Sequence, residues 1–189
     1  GFPAGHIVYT SSGWIDSLRV SPSGECAAFF EHPVRDDDGG FLRIVDRQGH
    51  ATTLTRQWSS AVGLAWSHSG KEIWFSASQE GFMRAIYAVS RTGSLRKVSN
   101  SPFSLRLLDV ARDGRALVAL DDVRVHMTAQ LAGDKTARDA SNLDSSHVDY
   151  VTRDGRLILF TEASSAVGAH YAAYTLDRES RRPLRFASG

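Results

Sequence analysis

Four strand–glycine–strand segments at near-constant spacing, each followed by a second hairpin, predict an all-β fold: a β-propeller with four four-stranded antiparallel blades. The turn glycines Gly24, Gly70, Gly114 and Gly155 lie 46, 44 and 41 residues apart. Helical solenoids can share such a period, but their apolar residues fall at i, i+3 and i+4. Here they alternate and are rich in β-branched and aromatic types, which is strand chemistry. A β-sandwich is the main alternative with the same local signals.

The first hairpins are Leu18-Arg-Val-Ser-Pro-Ser-Gly24-Glu-Cys-Ala-Ala-Phe-Phe30, Leu64-Ala-Trp-Ser-His-Ser-Gly70-Lys-Glu-Ile-Trp-Phe75, Leu108-Asp-Val-Ala-Arg-Asp-Gly114-Arg-Ala-Leu-Val-Ala119 and Val148-Asp-Tyr-Val-Thr-Arg-Asp-Gly155-Arg-Leu-Ile-Leu-Phe160. Glycine in each turn supplies positive φ at no steric cost. Third strands are expected at 41–49, 85–93, 125–133 and 171–177, and fourth strands at 51–55, 94–98, 135–138 and 183–186. The third repeat is the most divergent, with a short second hairpin around Gly133. Blades are therefore expected at 14–57, 58–102, 103–143 and 144–189. The alternating stretch His6-Ile-Val-Tyr-Thr10 precedes the first blade and has two readings. It is either the last strand of a preceding blade, which points residues 1–13 to a larger ring of six to eight blades, or a strand that adds to the final blade and helps close the ring. The longest loops, 32–40 and 164–170, fall between second and third strands, at hairpin tips.

Composition narrows the function classes. The chain has 189 residues, 42% of them hydrophobic, and 22 basic against 21 acidic residues. A near-neutral balance without a basic stripe argues against nucleic acid. No apolar run reaches the ~18 residues of a membrane span. Residues 1–12 lack the basic and apolar regions of a leader, so none is expected there. The lone cysteine, Cys26, sits in an apolar run and reads as a buried, inert thiol.

The turns Ser21-Pro-Ser-Gly24, Ser67-His-Ser-Gly70, Ala111-Arg-Asp-Gly114 and Thr152-Arg-Asp-Gly155 resemble the Ser-Pro-Asp-Gly turn of WD40-like, TolB-type propeller repeats. The resemblance runs from Trp14 to Ser188. No repeat keeps the whole tetrapeptide, and none has a Trp-Asp dipeptide, so WD40 repeats proper are not implied. More particular stretches, Ile7-Val-Tyr-Thr-Ser-Ser-Gly-Trp-Ile-Asp16, Phe29-Phe-Glu-His-Pro33, Asp37-Asp-Gly-Gly40, Leu64-Ala-Trp-Ser67 and Lys71-Glu-Ile-Trp-Phe75, are similar to the propeller that follows the kinase domain and membrane span of many bacterial serine/threonine kinases. That likeness implies a ligand or partner sensor, extracytoplasmic, with no catalytic residues to carry over. Accessory propellers of hydrolases and TolB-like periplasmic scaffolds are the other implied roles.

Motifs for chemistry are absent. There is no Gly-rich loop ahead of a strand lysine, no His-Arg-Asp and no Asp-Phe-Gly. Ser67-His68-Ser69-Gly70 places Ser beside His, but side chains one residue apart on a turn do not converge, and the repeat explains them better. The seven histidines show no paired ligand spacing, and Asp36-Asp37-Asp38-Gly39-Gly40 lacks the alternating acids and closing Glu of a calcium loop. It reads as a solvated hairpin tip. No enzyme, metal or cofactor is expected.

A surface is suggested by aromatics. Trp14, Trp58 and Phe103 lie 10, 12 and 11 residues before their turn glycines, and Leu143 lies 12 before its own. These positions fall in the connections between blades, which gather on one end of a propeller. They serve either inter-blade packing or an aromatic-rimmed face for a protein, a peptide or a small ligand. Asp16 and Arg19 are the polar candidates for that face, with Asp109 and Asp149 as further polar groups of the inner strands. Trp66 and Trp74, within strands, read as core. Open blade edges also allow self-association.

Overall fold

The computed structural model describes residues 5–130, 135–163, 165–167 and 171–188. It is all-β: sixteen strands and a single 3-10 turn at Ser165–Val167 among the described residues. Strands β1 (Trp14–Val20), β2 (Cys26–His32), β3 (Phe41–Asp46) and β4 (Ala51–Thr53) form an antiparallel meander. Strands β5 (Ser60–Trp66), β6 (Glu72–Ser78), β7 (Ala85–Ser90) and β8 (Leu95–Lys97) form a second, and β13 (Ser146–Val151), β14 (Leu157–Glu162), β15 (Ala172–Asp177) and β16 (Pro183–Ser188) a third. Each sheet keeps sequence order, which is the blade predicted from the repeat.

The repeat glycines do what their positions require. Gly24, Gly70, Gly114 and Gly155 have φ between 65 and 85°. Each donates its N–H to the carbonyl three residues back, on Ser21, Ser67, Ala111 and Thr152. In three repeats the hydroxyl at that first position accepts a second backbone N–H, from Cys26, Glu72 or Leu157. Ala111 has no hydroxyl, and its turn is one residue shorter, closing from Ala111 N to the Arg115 carbonyl.

The third repeat departs from a continuous blade. Strands β9 (Leu105–Val110) and β10 (Ala116–Leu120) form one two-stranded sheet, and β11 (Thr128–Ala129) and β12 (Arg138–Asp139) another. The backbone between β10 and β11 is engaged elsewhere. Asp121 donates its N–H to the Ser104 carbonyl, and Val125 exchanges hydrogen bonds with Asp144 and Ser146 instead of extending β10. The expected turn at Gly133 lies outside the described residues.

All four inner strands share a feature that the pattern of apolar residues did not announce. Each carries one extra residue against its partner: between Asp16 and Arg19, Val62 and Leu64, Leu107 and Asp109, and Val148 and Tyr150. Such a bulge sharpens the strand's twist. In the first two repeats it uses positive φ, at Ser17 (52°) and Gly63 (67°), and the Ser17 hydroxyl accepts the Gly63 N–H at 3.1 Å.

The chain divides into two compact units, Gly1–Asp121 and Asp122–Gly189. The first holds both apolar clusters. Phe30, Leu42, Trp58, Leu64, Trp66, Ile73 and Phe75 join the first two sheets, and Ala65, Ile86, Leu105 and Leu107 join the second sheet to β9. Cys26 is buried in the first cluster, Trp66 with it, and Trp74 packs half-buried against the second.

Residues 6–10 form no strand. The segment crosses the face of the first sheet, where no ladder is on offer, and side chains hold it. The Tyr9 ring lies 5.1 Å from that of Phe29, and its hydroxyl donates to Glu31 at 2.8 Å. Ser11 donates to the same carboxylate, and Arg43 pairs with it at 2.6 Å and with the Tyr9 hydroxyl at 3.1 Å. Burial alone would raise the Glu31 pKa, but the Ser11 and Tyr9 hydrogen bonds and the Arg43 charge hold it below the usual range.

Candidate functional site

In the first unit, the ends of β2, β6 and β10 and the starts of β1, β5 and β9 lie at the same end of their sheets, opposite the repeat glycines. Loop 33–40, loop 79–84 and the connection 98–104 meet there. Charged side chains bind them together. Arg84, only 10% exposed, reaches Asp38 of the first loop at 3.2 Å, the Ser60 hydroxyl at 2.9 Å and Asp121 after β10 at 2.6 Å. Ser60 also donates to Asp38 at 2.7 Å, and Arg106 pairs with Asp121 at 3.0 Å. Backbone contacts reinforce this: Ala61 N–H donates to the Asp38 carbonyl, and Gly40 and Trp58 exchange a pair of hydrogen bonds. The planar guanidinium suits this role because its donors diverge at fixed angles toward several acceptors.

A second group anchors the same loop to β1. His32 is fully buried at the end of β2. Its Nδ1 lies 3.2 Å from the Gly39 carbonyl, and its Nε2 lies 3.2 Å from Asp16 Oδ1. Trp14 stacks on the imidazole at 4.1 Å, and its indole N–H donates to the Val34 carbonyl at 3.0 Å. Gly13 and Gly40 make room for this packing, since a Cβ on either would run into the backbone at Glu31 and His32. Burial pushes the His32 pKa down, but the Asp16 hydrogen bond and charge, the Gly39 carbonyl and the Asp38 charge outweigh it, leaving the pKa above its ordinary value.

Around this polar framework the loops expose apolar side chains: Val34, Phe82, Met83 and Phe103. Phe103 is 60% exposed. Phe82 and Phe103 lie on adjoining segments, because the Ser104 hydroxyl donates to the Phe82 carbonyl and Leu105 N–H to the Arg84 carbonyl.

The structure separates the residues proposed from sequence. Trp14, Asp16 and Phe103 lie at this end. Trp58 is 1% exposed, edge-on to Phe75 at 5.7 Å, with its indole N–H on Thr55. It packs the first two sheets together and presents nothing to solvent. Trp14 and Trp58 are also not equivalent in register: Trp14 pairs with His32, and the residue in the same place in the second sheet is Ser60, paired with Ser78. Arg19 lies near the other end of β1, about 16 Å along the strand from Trp14, and is exposed. Asp109 and Asp149 sit at the inner-strand bulges. The acidic run is only partly a solvated tip, since Asp38 is engaged by Arg84 and Ser60.

In the second unit the residue in the His32 position is Glu162, also fully buried. It accepts the N–H groups of Leu143 and Ser145 and the Ser146 hydroxyl, and so holds the connection that leads into β13. Among the described residues, no three His, Cys, Asp or Glu side chains gather as a metal site, and no helix is long and apolar enough to cross a membrane.

No known family profile matches the chain, and no curated protein does. Solved structures do. TolB from Acinetobacter baumannii matches with 18% identity and a TM-score of 0.50 over 96% of this chain and 45% of its own. A puromycin-hydrolyzing peptidase from Mycobacterium tuberculosis matches with 16% identity and a TM-score of 0.47 over 93% of this chain and 29% of its own. The β-propeller domain of the Trilobed protease from Pyrococcus furiosus matches with 12% identity and a TM-score of 0.43 over 91% of this chain and 57% of its own. The chain thus spans less than half the length of the TolB it resembles. The likeness to TolB shows the fold, that of a β-propeller.

Proposed function

We propose that this propeller is a non-catalytic binding scaffold, and that it takes a protein or peptide partner on the loop end of its first three repeats. The observation that carries this reading is the combination found there. Loops that expose Val34, Phe82, Met83 and Phe103 are tied to one another through the Arg84 and His32 groups. Exposed apolar side chains cost solubility, and a rigid framework beneath them lowers the ordering penalty of binding. The polar groups are committed to structure: both His32 nitrogens face partners within the protein, and the Ser60 hydroxyl is held by Asp38 and Arg84. An extracytoplasmic sensor role beside a kinase is the narrower form of this reading, and it rests on the sequence resemblance alone.

The test compares co-purification by three proteins: the native chain, a Met83→Ser/Phe103→Ser variant, and a variant altered at the opposite end, His68→Ala/Ser69→Ala. A partner retained by the native and opposite-end proteins but lost by the loop-end variant supports the reading, provided that the loop-end variant melts normally. Equal retention by all three rejects it.

A further inference from the structure

The imidazole of His32 has an acceptor on each side. A carbonyl oxygen only accepts, so the 3.2 Å contact to Gly39 requires a proton on Nδ1. An ionised carboxylate only accepts, so the 3.2 Å contact to Asp16 requires one on Nε2. A neutral histidine has one proton and satisfies only one of them. The ring is fully buried and covered by Trp14, so water does not reach a ring nitrogen left unmatched, whereas the Asp16 carboxylate is 28% exposed.

We propose that His32 is a proton-operated latch: as an imidazolium it fastens loop 33–40 to the start of β1, and loss of its proton loosens that loop, which then rests on its Asp38 and Gly40 contacts. The charges that face it are Asp16 from β1 and Asp38 from the loop. Trp14 and Phe30 present only rings, and Arg84, behind Asp38, has its charge engaged there and by Asp121. Deprotonation leaves the Asp16 carboxylate facing a lone pair. The latch is open on the alkaline side. A histidine whose pKa is raised on folding adds stability in full below its unfolded value, about 6.5, and loses it as pH rises through the folded value.

The loop that the latch controls carries Val34 and Asp38, so the binding face would be remodelled with pH. The latch itself is independent of any partner and is read on the unliganded protein.

The experiment is NMR on the native chain. The His32 ring carbon shift is titrated, and amide protection factors, corrected for intrinsic exchange, are followed at Asp37, Gly39 and Gly40 from pH 5.5 to 9. The expected result is a pKa above the ordinary value and a fall in loop protection through that same pKa. That fall should be roughly tenfold for each unit of elevation. The Asp16→Asn variant separates a latch from mere packing, because an amide N–H can donate to the Nε2 lone pair. It should lower the His32 pKa and flatten the pH profile while loop protection persists. A native His32 that titrates at or below its ordinary value, or loop protection without a step at its pKa, overturns the proposal.

Discussion

At the scale of single residues, close approach of backbones matters more than turn chemistry. Gly114 and Gly63 both have positive φ, but nothing lies within 4 Å of a Cβ built on Gly114, whereas one on Gly63 would collide with the Leu107 backbone of β9. Gly114→Ala is expected to cost about 1–2 kcal/mol, from conformation alone. Gly63→Ala should cost roughly 2–5 kcal/mol, because overpacking adds to the strain. Denaturant unfolding of the two variants measures the difference. Arg84 invites a second substitution. Arg84→Lys keeps the charge but cannot reach Asp38, Ser60 and Asp121 together, so it should destabilise by roughly 1–3 kcal/mol, close to Arg84→Ala. A Lys variant as stable as the native protein would show that charge alone suffices. The positive φ at Gly114 was legible in the repeat, but the Gly63 approach and the Arg84 group were not. Arg84, Asp121 and His32 lie far apart in the chain, only His32 falls in a stretch singled out from sequence (29–33), and register alone brings the three to one end. Phe103 was placed by its distance from a repeat glycine and Asp16 as a polar group on an inner strand, and both lie at the loop end. Trp58 was placed by the same distance rule as Phe103, but distance from the turn does not say which way a ring points.

Among the elements, the repeat predicted four four-stranded sheets. Three are continuous, and the third repeat is divided into two two-stranded sheets among the described residues. Residues 6–10, read as a strand from their alternation, lie in none. In both places alternation signalled a strand, and the backbone found other partners: Asp144 and Ser146 for Val125, and side chains for the N-terminal segment. Alternation reports a chain that can be extended, not one with a neighbour to pair with. The N-terminal segment has its own pH signature. Glu31 is held below the usual glutamate range, so its contribution is present above its unfolded pKa of about 4.3 and is lost as pH falls through the folded value. Amide exchange of residues 8–12 should therefore accelerate, after correction for intrinsic rates, between pH 5 and pH 3. Tyr9→Phe, which removes one hydrogen bond to the carboxylate, should move that loss to higher pH. An unchanged profile in the variant would show that Tyr9 plays no part.

For the whole molecule, the apolar clusters sort the two units by stability. Both clusters belong to the first unit, whereas Met127, Phe160 and Ala172 are the buried apolar side chains described in the second. All four tryptophans, Trp14, Trp58, Trp66 and Trp74, also belong to the first. Urea should unfold the second unit earlier, and far-UV circular dichroism should begin to fall before tryptophan fluorescence changes. Coincident transitions would show that the units unfold as one.

The binding face at the loop end is the centre of the functional account, and site-specific photocrosslinking tests it most directly. A photoreactive side chain is placed at Val34 or Phe103 at the loop end, and at His68 in the turn at the opposite end. The account predicts a discrete adduct from positions 34 and 103 and none from 68. No adduct from the loop end, or the same adduct from all three positions, would contradict it.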